Sequence, residues 1–278
     1  MRQVATTKIT KAVRDLCLSA AYDLEPDVAS AIRAARDREE SPLGKEVLEQ
    51  IINNFEIAGK ESLPMCQDTG ISVFFVEVGR EVMLDGSLEE AINEGVRQGY
   101  KEGYLRKSVC HPLKRLNTGD NTPAIIHTTF IEGDKIKIKI APKGAGSENM
   151  SKLKMLKPAE GIEGIKKFVV ESIKEAGGNP CPPIVVGVGI GGSFEKSAIL
   201  SKKALLRPVG SKNEDNDVAA LEAELLDKVN ALGIGPMGFG GTVTALGVHV
   251  EIYPCHIASL PVAINIQCHA DRHKEITI

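Results

Sequence analysis

No apolar run in this 278-residue chain approaches the roughly 20 residues of a membrane-spanning helix, and its first ten residues lack the apolar stretch of a secretion signal. The expected location is therefore the cytoplasm, with no membrane partner. Long blocks of Lys or Arg are missing too, and the formal charge is only −3, so nucleic acid and anionic membrane surfaces have no electrostatic handle. There is no internal repeat and no low-complexity linker. What remains is ordinary for a soluble globular protein: 42% hydrophobic and 26% charged residues, with 27 glycines that point to tight turns and backbone-lined sites. This length buries a substantial core and lies where one domain begins to divide into two interlocked ones. We read a single domain over residues 1–278 with a helical portion over about 1–60.

Periodicity supplies the elements. Residues 6–24 carry Ile9, Val13, Leu16, Cys17, Ala20 and Ala21 at spacings of three and four, an amphipathic helix. Residues 26–36 and 42–55 read as helices opened by prolines. Residues 71–78 form an apolar strand, and a helix over 87–100 is capped by Ser87 with Glu90 three residues on. Ile136, Ile138 and Ile140 alternate with lysines, a strand with one wet face, for which residues 124–131 are the expected partner. Helices over 161–175, 194–205 and 215–232 and strands over 184–190, 242–252 and 262–266 follow. Helices dominate the first quarter and elements alternate irregularly afterwards, so the expected class is α+β, a helical N-terminal part followed by mixed sheet and helices.

Six cysteines, at 17, 66, 110, 181, 255 and 268, in a reducing compartment are buried thiols, metal ligands or reactive groups rather than disulfides. Pro64-Met65-Cys66-Gln67-Asp68-Thr69-Gly70 gathers a thiol, an amide, a carboxylate and a hydroxyl in one loop before a strand. Asp-Thr-Gly is equally ordinary turn chemistry. In Gly178-Asn-Pro-Cys181-Pro-Pro, prolines hold the thiol on a stiff segment, although a proline-rich lead-in to a strand would look the same. Asn265-Ile-Gln-Cys268-His-Ala-Asp-Arg-His273 turns abruptly from apolar to polar and sets a thiol between an amide and an imidazole. Cys66, Cys181 and Cys268 are too far apart for C-x-x-C sites. Three thiolates without a fourth would leave one iron of a [4Fe–4S] cluster open, as Lewis-acid chemistry requires, whereas electron transfer would take a fourth from Cys17, Cys110 or Cys255. Gly187-Val-Gly-Ile-Gly-Gly192 has the form of a dinucleotide loop, but the acidic residue expected about 20 positions on is absent around Leu206-Arg-Pro-Val-Gly210. A tight turn beside the cluster is the preferred reading.

Taken in order, Leu63-Pro-Met-Cys-Gln-Asp-Thr-Gly70, Leu105-Arg-Lys-Ser-Val109, Asn117-Thr-Gly-Asp-Asn-Thr-Pro-Ala124, Lys143-Gly-Ala-Gly-Ser-Glu-Asn149, Gly189-Ile-Gly-Gly-Ser193 and Gln267-Cys-His-Ala270 resemble the α subunit, or N-terminal domain, of class I fumarate hydratases and the related L-tartrate dehydratases. The resemblance implies that Cys66, Cys181 and Cys268 ligate a [4Fe–4S] cluster. It further implies that Gln67 contacts the substrate and Asp68 serves as acid/base, that Arg106 grips a carboxylate through two parallel hydrogen bonds, and that Gly146 and His256 also touch substrate. By sequence alone, His256 would read as a core histidine. One departure stands out: an aspartate expected before the proline in Ser-Val-x-x-Pro is replaced in Cys110-His111-Pro112.

The implied reaction is reversible hydration of fumarate to L-malate, with dehydration of L-tartrate as the alternative. Groups from a separate β subunit are expected to complete the pocket, in a hetero-oligomer such as two α and two β chains. The rival from another class is a non-catalytic iron–sulfur or zinc-binding scaffold subunit.

Overall fold

A computed structural model describes all residues, 1–278. In chain order the elements are β1 (Arg2–Val4), α1 (Thr6–Tyr22), α2 (Pro26–Arg38), α3 (Pro42–Glu61), β2 (Ile71–Gly79), β3 (Val82–Leu84), α4 (Leu88–Glu102), β4 (Ile125–Ile131) and β5 (Ile136–Lys143). There follow α5 (Ala145–Glu148), β6 (Lys152–Leu156), α6 (Gly161–Ala176), β7 (Ile184–Gly191), α7 (Phe194–Ala204), α8 (Asn216–Asn230), β8 (Ala245–Tyr253), β9 (Leu260–Gln267) and β10 (Lys274–Thr277). The class is α+β, and no helix is long and apolar enough to cross a membrane. Contacts divide the chain into two units with interleaved segments, residues 1–25, 55–144 and 272–278 in one and 26–54 and 145–271 in the other. The helical N-terminal portion is therefore shared between them.

In the first unit a mixed sheet runs in the order β10-β5-β2-β4, with β2 parallel to β4 and antiparallel to β5. The apolar stripe of α1 and the buried face of α4 close on Phe74, Val76, Ile138 and Ile140 to form its core. Ser87 caps α4 as expected, its hydroxyl accepting from Glu90 N at 3.2 Å. The expected pairing of residues 124–131 with the Ile136 strand is corrected: β4 lies on the far side of β2 from β5. The link between β4 and β5 wraps the end of β2 instead, where Arg80 N donates to Ile131 O and Gly79 N to Lys135 O. Alternation identifies a strand but not its neighbour. The polar tail also forms a strand that periodicity does not reveal, β10 pairing with β5.

In the second unit the order is β6-β9-β7-β8, with β7 parallel to β8 and antiparallel to β9. Ile184, Val186 and Val188 face α6 and α8 in one core cluster. The other face of β7 carries Gly187 and Gly189, where an added Cβ would come within 2.0 Å of the Ser201 and Ser197 carbonyls of α7. These two glycines thus admit a helix against a strand, while Gly191 (φ +89°) and Gly192 (φ +71°) make the expected turn, at the end of β7 away from Cys181, which corrects its placement beside the cysteines.

Glu39, 1% exposed, fastens the end of α2 to the approach to β8. Its carboxylate accepts from the backbone N–H groups of Glu40 and Ser41 (both 2.9 Å) and of Thr242 and Val243 (both 2.8 Å). Burial alone would push this carboxyl up, but the hydrogen bonds outweigh it and hold it below the ordinary glutamate value. A depressed folded-state value contributes stability above the unfolded value, about 4.3, that disappears as pH falls through the folded one. Glu39→Gln should thus cost roughly 2 kcal/mol at neutral pH, a deficit that shrinks on acidification; urea unfolding of both proteins at pH 7 and below pH 4 measures it.

Candidate active site

The loop bearing Cys66, Gln67 and Asp68 joins α3 to β2 within the first unit. Asp68 Oδ1 accepts from Gly70 N at 3.0 Å, closing the turn the sequence suggests. Gly70 has φ +81°, and a Cβ there would lie 2.7 Å from Lys143 N, so no other residue fits. Three carbonyls of this turn are held from outside it. Arg272 Nη2 donates to Asp68 O (3.0 Å), Tyr100 Oη lies 2.9 and 3.0 Å from the Thr69 and Gly70 carbonyls, and Asn121 Nδ2 donates to Gly70 O (3.2 Å). Burial pushes the Tyr100 phenol up, which keeps it protonated and able to donate.

Arg106 reaches the same place from the segment after α4. Its carbonyl accepts from Thr69 Oγ1 at 2.9 Å, and its exposed side chain makes no ion pair within the chain. Asn121, fully buried at φ +64°, accepts on Oδ1 from Ser108 N (2.7 Å) and Val109 N (3.3 Å), coupling the Arg106 segment to Gly70. The Cys110-His111-Pro112 departure leaves local bonding intact. His111 Nδ1 accepts from Leu113 N (3.2 Å) and Lys114 N (3.1 Å), as a turn carboxylate would.

In the second unit, Cys181 precedes β7 and Cys268 follows β9. Because the two strands are antiparallel, with Val185 opposite Gln267, both cysteines fall at the same end of the sheet. His269 joins them: its backbone N (3.3 Å) and Nδ1 (3.1 Å) both address Cys181 O. Since a carbonyl only accepts, Nδ1 carries the proton. Cys181 has φ +57°, a left-handed conformation that costs a non-glycine residue about 1 kcal/mol and clusters at functional sites. Gly146 of α5 belongs to this end. A Cβ on it would lie 3.6 Å from Asn179 O, and the neighbouring Ser147 Oγ donates to Gln267 Oε1 at 3.2 Å.

His256 does not. It follows β8, whose end at Tyr253 pairs with Gly191 at the far end of β7, a strand roughly 23 Å long. Nor is it a core histidine: it is exposed, with Nδ1 accepting from Ala258 N at 3.1 Å.

No cysteine is in a disulfide, and the environments separate them. Cys66, Cys181 and Cys268 are each half-buried at a turn, where a thiolate can be reached. Cys17 is 2% exposed on the inner face of α1, and burial pushes its thiol up to about 12, so it is a neutral core group. Cys255 is exposed on the His256 loop, Sγ donating to Ser259 O at 3.2 Å, far along the sheet from Cys181. Cys110 is half-buried, and its backbone forms an isolated bridge with Asn117. Burial thus sets Cys17 apart but leaves Cys110 in the same half-buried class as Cys66, Cys181 and Cys268; the last three, each at a turn and outside any disulfide, suit thiolate ligation of an iron–sulfur cluster.

Sequence reasoning did not single out Tyr100, Asn121 or Arg272 as parts of this arrangement. Asn121 and Arg272 lay within polar segments already noted, and only their partners distinguish them.

The chain is similar to known proteins over nearly its whole length. A family model described as fumarate hydratase (Fumerase) matches residues 10–277. The putative L(+)-tartrate dehydratase subunit alpha of Methanocaldococcus jannaschii is 50% identical over 273 residues, covering 95% of each chain. The L(+)-tartrate dehydratase subunit alpha of Escherichia coli K12 is 34% identical over 281 residues, spanning all of this chain and 93% of that one. With a family match across nearly its whole length and relatives of this identity, the chain belongs to the fumarate hydratase (Fumerase) family.

Proposed function

We propose that this chain is the α subunit of an iron–sulfur hydro-lyase that interconverts fumarate and L-malate, with Cys66, Cys181 and Cys268 as ligands of a [4Fe–4S] cluster. The observation that carries the reading is the pairing of Cys181 with the residue after Cys268, which draws two half-buried thiols and Gly146 to one end of a sheet. When bound, a cluster with one iron free of cysteine supplies Lewis acidity toward a hydroxyl leaving group.

The chain's own residues do the rest. Arg106 presents a guanidinium to a substrate carboxylate, and Gln67 orients the dicarboxylate beside it. Asp68, its rotamer set by the bond to Gly70 N, takes or returns a proton. The Gly146 segment offers backbone N–H groups where no side chain intervenes. His256, at the other end of its sheet, is left out of this contact set.

The relatives' names supply two further parts of the reading. They are called alpha subunits, which supports a separate β subunit that completes the pocket, in an assembly such as two α and two β chains. They are also called tartrate dehydratases, which favours L-tartrate as the second substrate to test.

Three measurements test this. After anaerobic reconstitution, serine at Cys66, Cys181 or Cys268 should abolish the visible absorption of the cluster, while serine at Cys17, Cys110 or Cys255 should leave it; the reverse pattern would refute the ligand set. Arg106→Lys keeps the charge but loses the two-pronged grip, so kcat/KM for the dicarboxylate should fall roughly tenfold to a hundredfold, chiefly through KM, with the cluster spectrum unchanged. Assays of fumarate, L-malate and L-tartrate with and without a co-expressed β subunit should give turnover only with the partner. Full activity of the isolated chain would sink the subunit reading, and turnover of L-tartrate alone would reassign the substrate.

A further inference from the structure

The sheet of the first unit ends at β4, and nothing in the chain protects that edge. Natural sheets guard edges with charge, proline, a bulge or a covering segment. The seven residues Ile-Ile-His-Thr-Thr-Phe-Ile include no Asp, Glu, Lys, Arg or Pro, and their register with β2 is unbroken from Val73↔Ile125 to Gly79↔Ile131. Ile125 and Phe130 are 42% and 70% exposed. The opposite edge, β10, carries Lys274 and Glu275.

The direction of the free hydrogen-bonding groups follows from one bond. Ile131 O accepts from Arg80 N, on the β2 side. The N–H and C=O of one residue point the same way, and successive residues alternate. Residues 125, 127, 129 and 131 therefore serve β2, while Ile126, Thr128 and Phe130 point outward.

We propose that this edge binds the same edge of a second copy of the chain, the two β4 strands running antiparallel about a two-fold axis at Thr128. Thr128 is the middle residue, so this register alone pairs both strands over their full length. Thr128 meets its twin and Ile126 meets Phe130 in both directions, giving roughly six hydrogen bonds, two for each narrow pair.

The side chains are self-complementary in the same register. Ile126 already packs against the core cluster of its unit, and the exposed Phe130 ring of the other copy extends that core across the axis. On the opposite face, where His127 stacks on Phe75 at 4.8 Å, Ile125 meets Ile131 and His127 meets Thr129. These are the β-branched and aromatic cross-strand pairs that stabilise antiparallel sheets, with no like charges apposed. Charge begins only at Glu132, which falls opposite Ala124. The contact is isologous, so it closes on itself and consumes the edge that would otherwise template open aggregation. It does not depend on the proposed reaction.

Sedimentation velocity on the full chain, alone and co-purified with a β subunit, tests the pairing, and each assembly should contain two copies of this chain. Thr128→Lys sets two lysines opposite each other at the axis. Thr128→Pro removes an outward N–H without touching the ladder to β2. Each should raise the dissociation constant of the pair by roughly tenfold or more, with unchanged circular dichroism, while Thr277→Lys on β10 changes nothing. If a Thr128 variant loses structure, Phe130→Lys at the exposed ring gives the same readout. The proposal is overturned if one copy is found in both preparations, or if folded Thr128 or Phe130 variants keep the pair. It also falls if they release the β subunit instead, which would assign the edge to another occupant.

Discussion

Three successive carbonyls, those of Asp68, Thr69 and Gly70, belong to neither helix nor ladder, and side chains must satisfy them. Left unpaired, each buried carbonyl would cost about 1 to 3 kcal/mol. Tyr100 from α4, Asn121 from the segment before β4 and Arg272 from the segment after β9 meet that requirement. The turn is thereby held in one conformation, with Gln67 and Asp68 at its crest and the Arg106 segment tied to it through Asn121 and Thr69. Placing these groups on a braced turn is how a stretch of chain without regular structure acquires the positional accuracy that a functional constellation needs.

Strand polarity does the corresponding sorting in the second unit. β7 runs against β9 and with β8. The start of β7 and the end of β9 therefore share one end of the sheet, and with them Cys181 and Cys268. The end of β8 lies at the other, and takes Cys255 and His256 with it. Side-chain chemistry would rank His256 beside any other imidazole near a thiol; topology separates it by a strand's length.

Much of this was legible in the sequence. The helical spacing of α1 placed Cys17 on an apolar stripe, and burial there makes it a core thiol. The Ser87 cap and most helix and strand centres appear where local chemistry put them, because capping and periodicity act over a few residues. The β4–β5 pairing was misjudged because proximity in sequence favours a hairpin, while the buried β2 strand claims both neighbours. Gly187 and Gly189 do not belong to the turn that Gly191 and Gly192 make, because closeness of a helix backbone leaves the same mark in sequence as a tight turn.

The sequence by itself determined the α+β class, the family and the three cysteines set apart by their contexts, since each rests on residue types at short range or on ordered motifs. Only the tertiary structure decided which cysteine is buried out of reach, which end of a sheet Cys181, Cys255 and Cys268 occupy and which distant side chains brace the Asp68 turn. Those are matters of burial, strand direction and hydrogen-bond partners from remote parts of the chain, and no local pattern encodes them. The loop that opens with Cys66 was recognisable as a string of polar groups; what holds it in place was not.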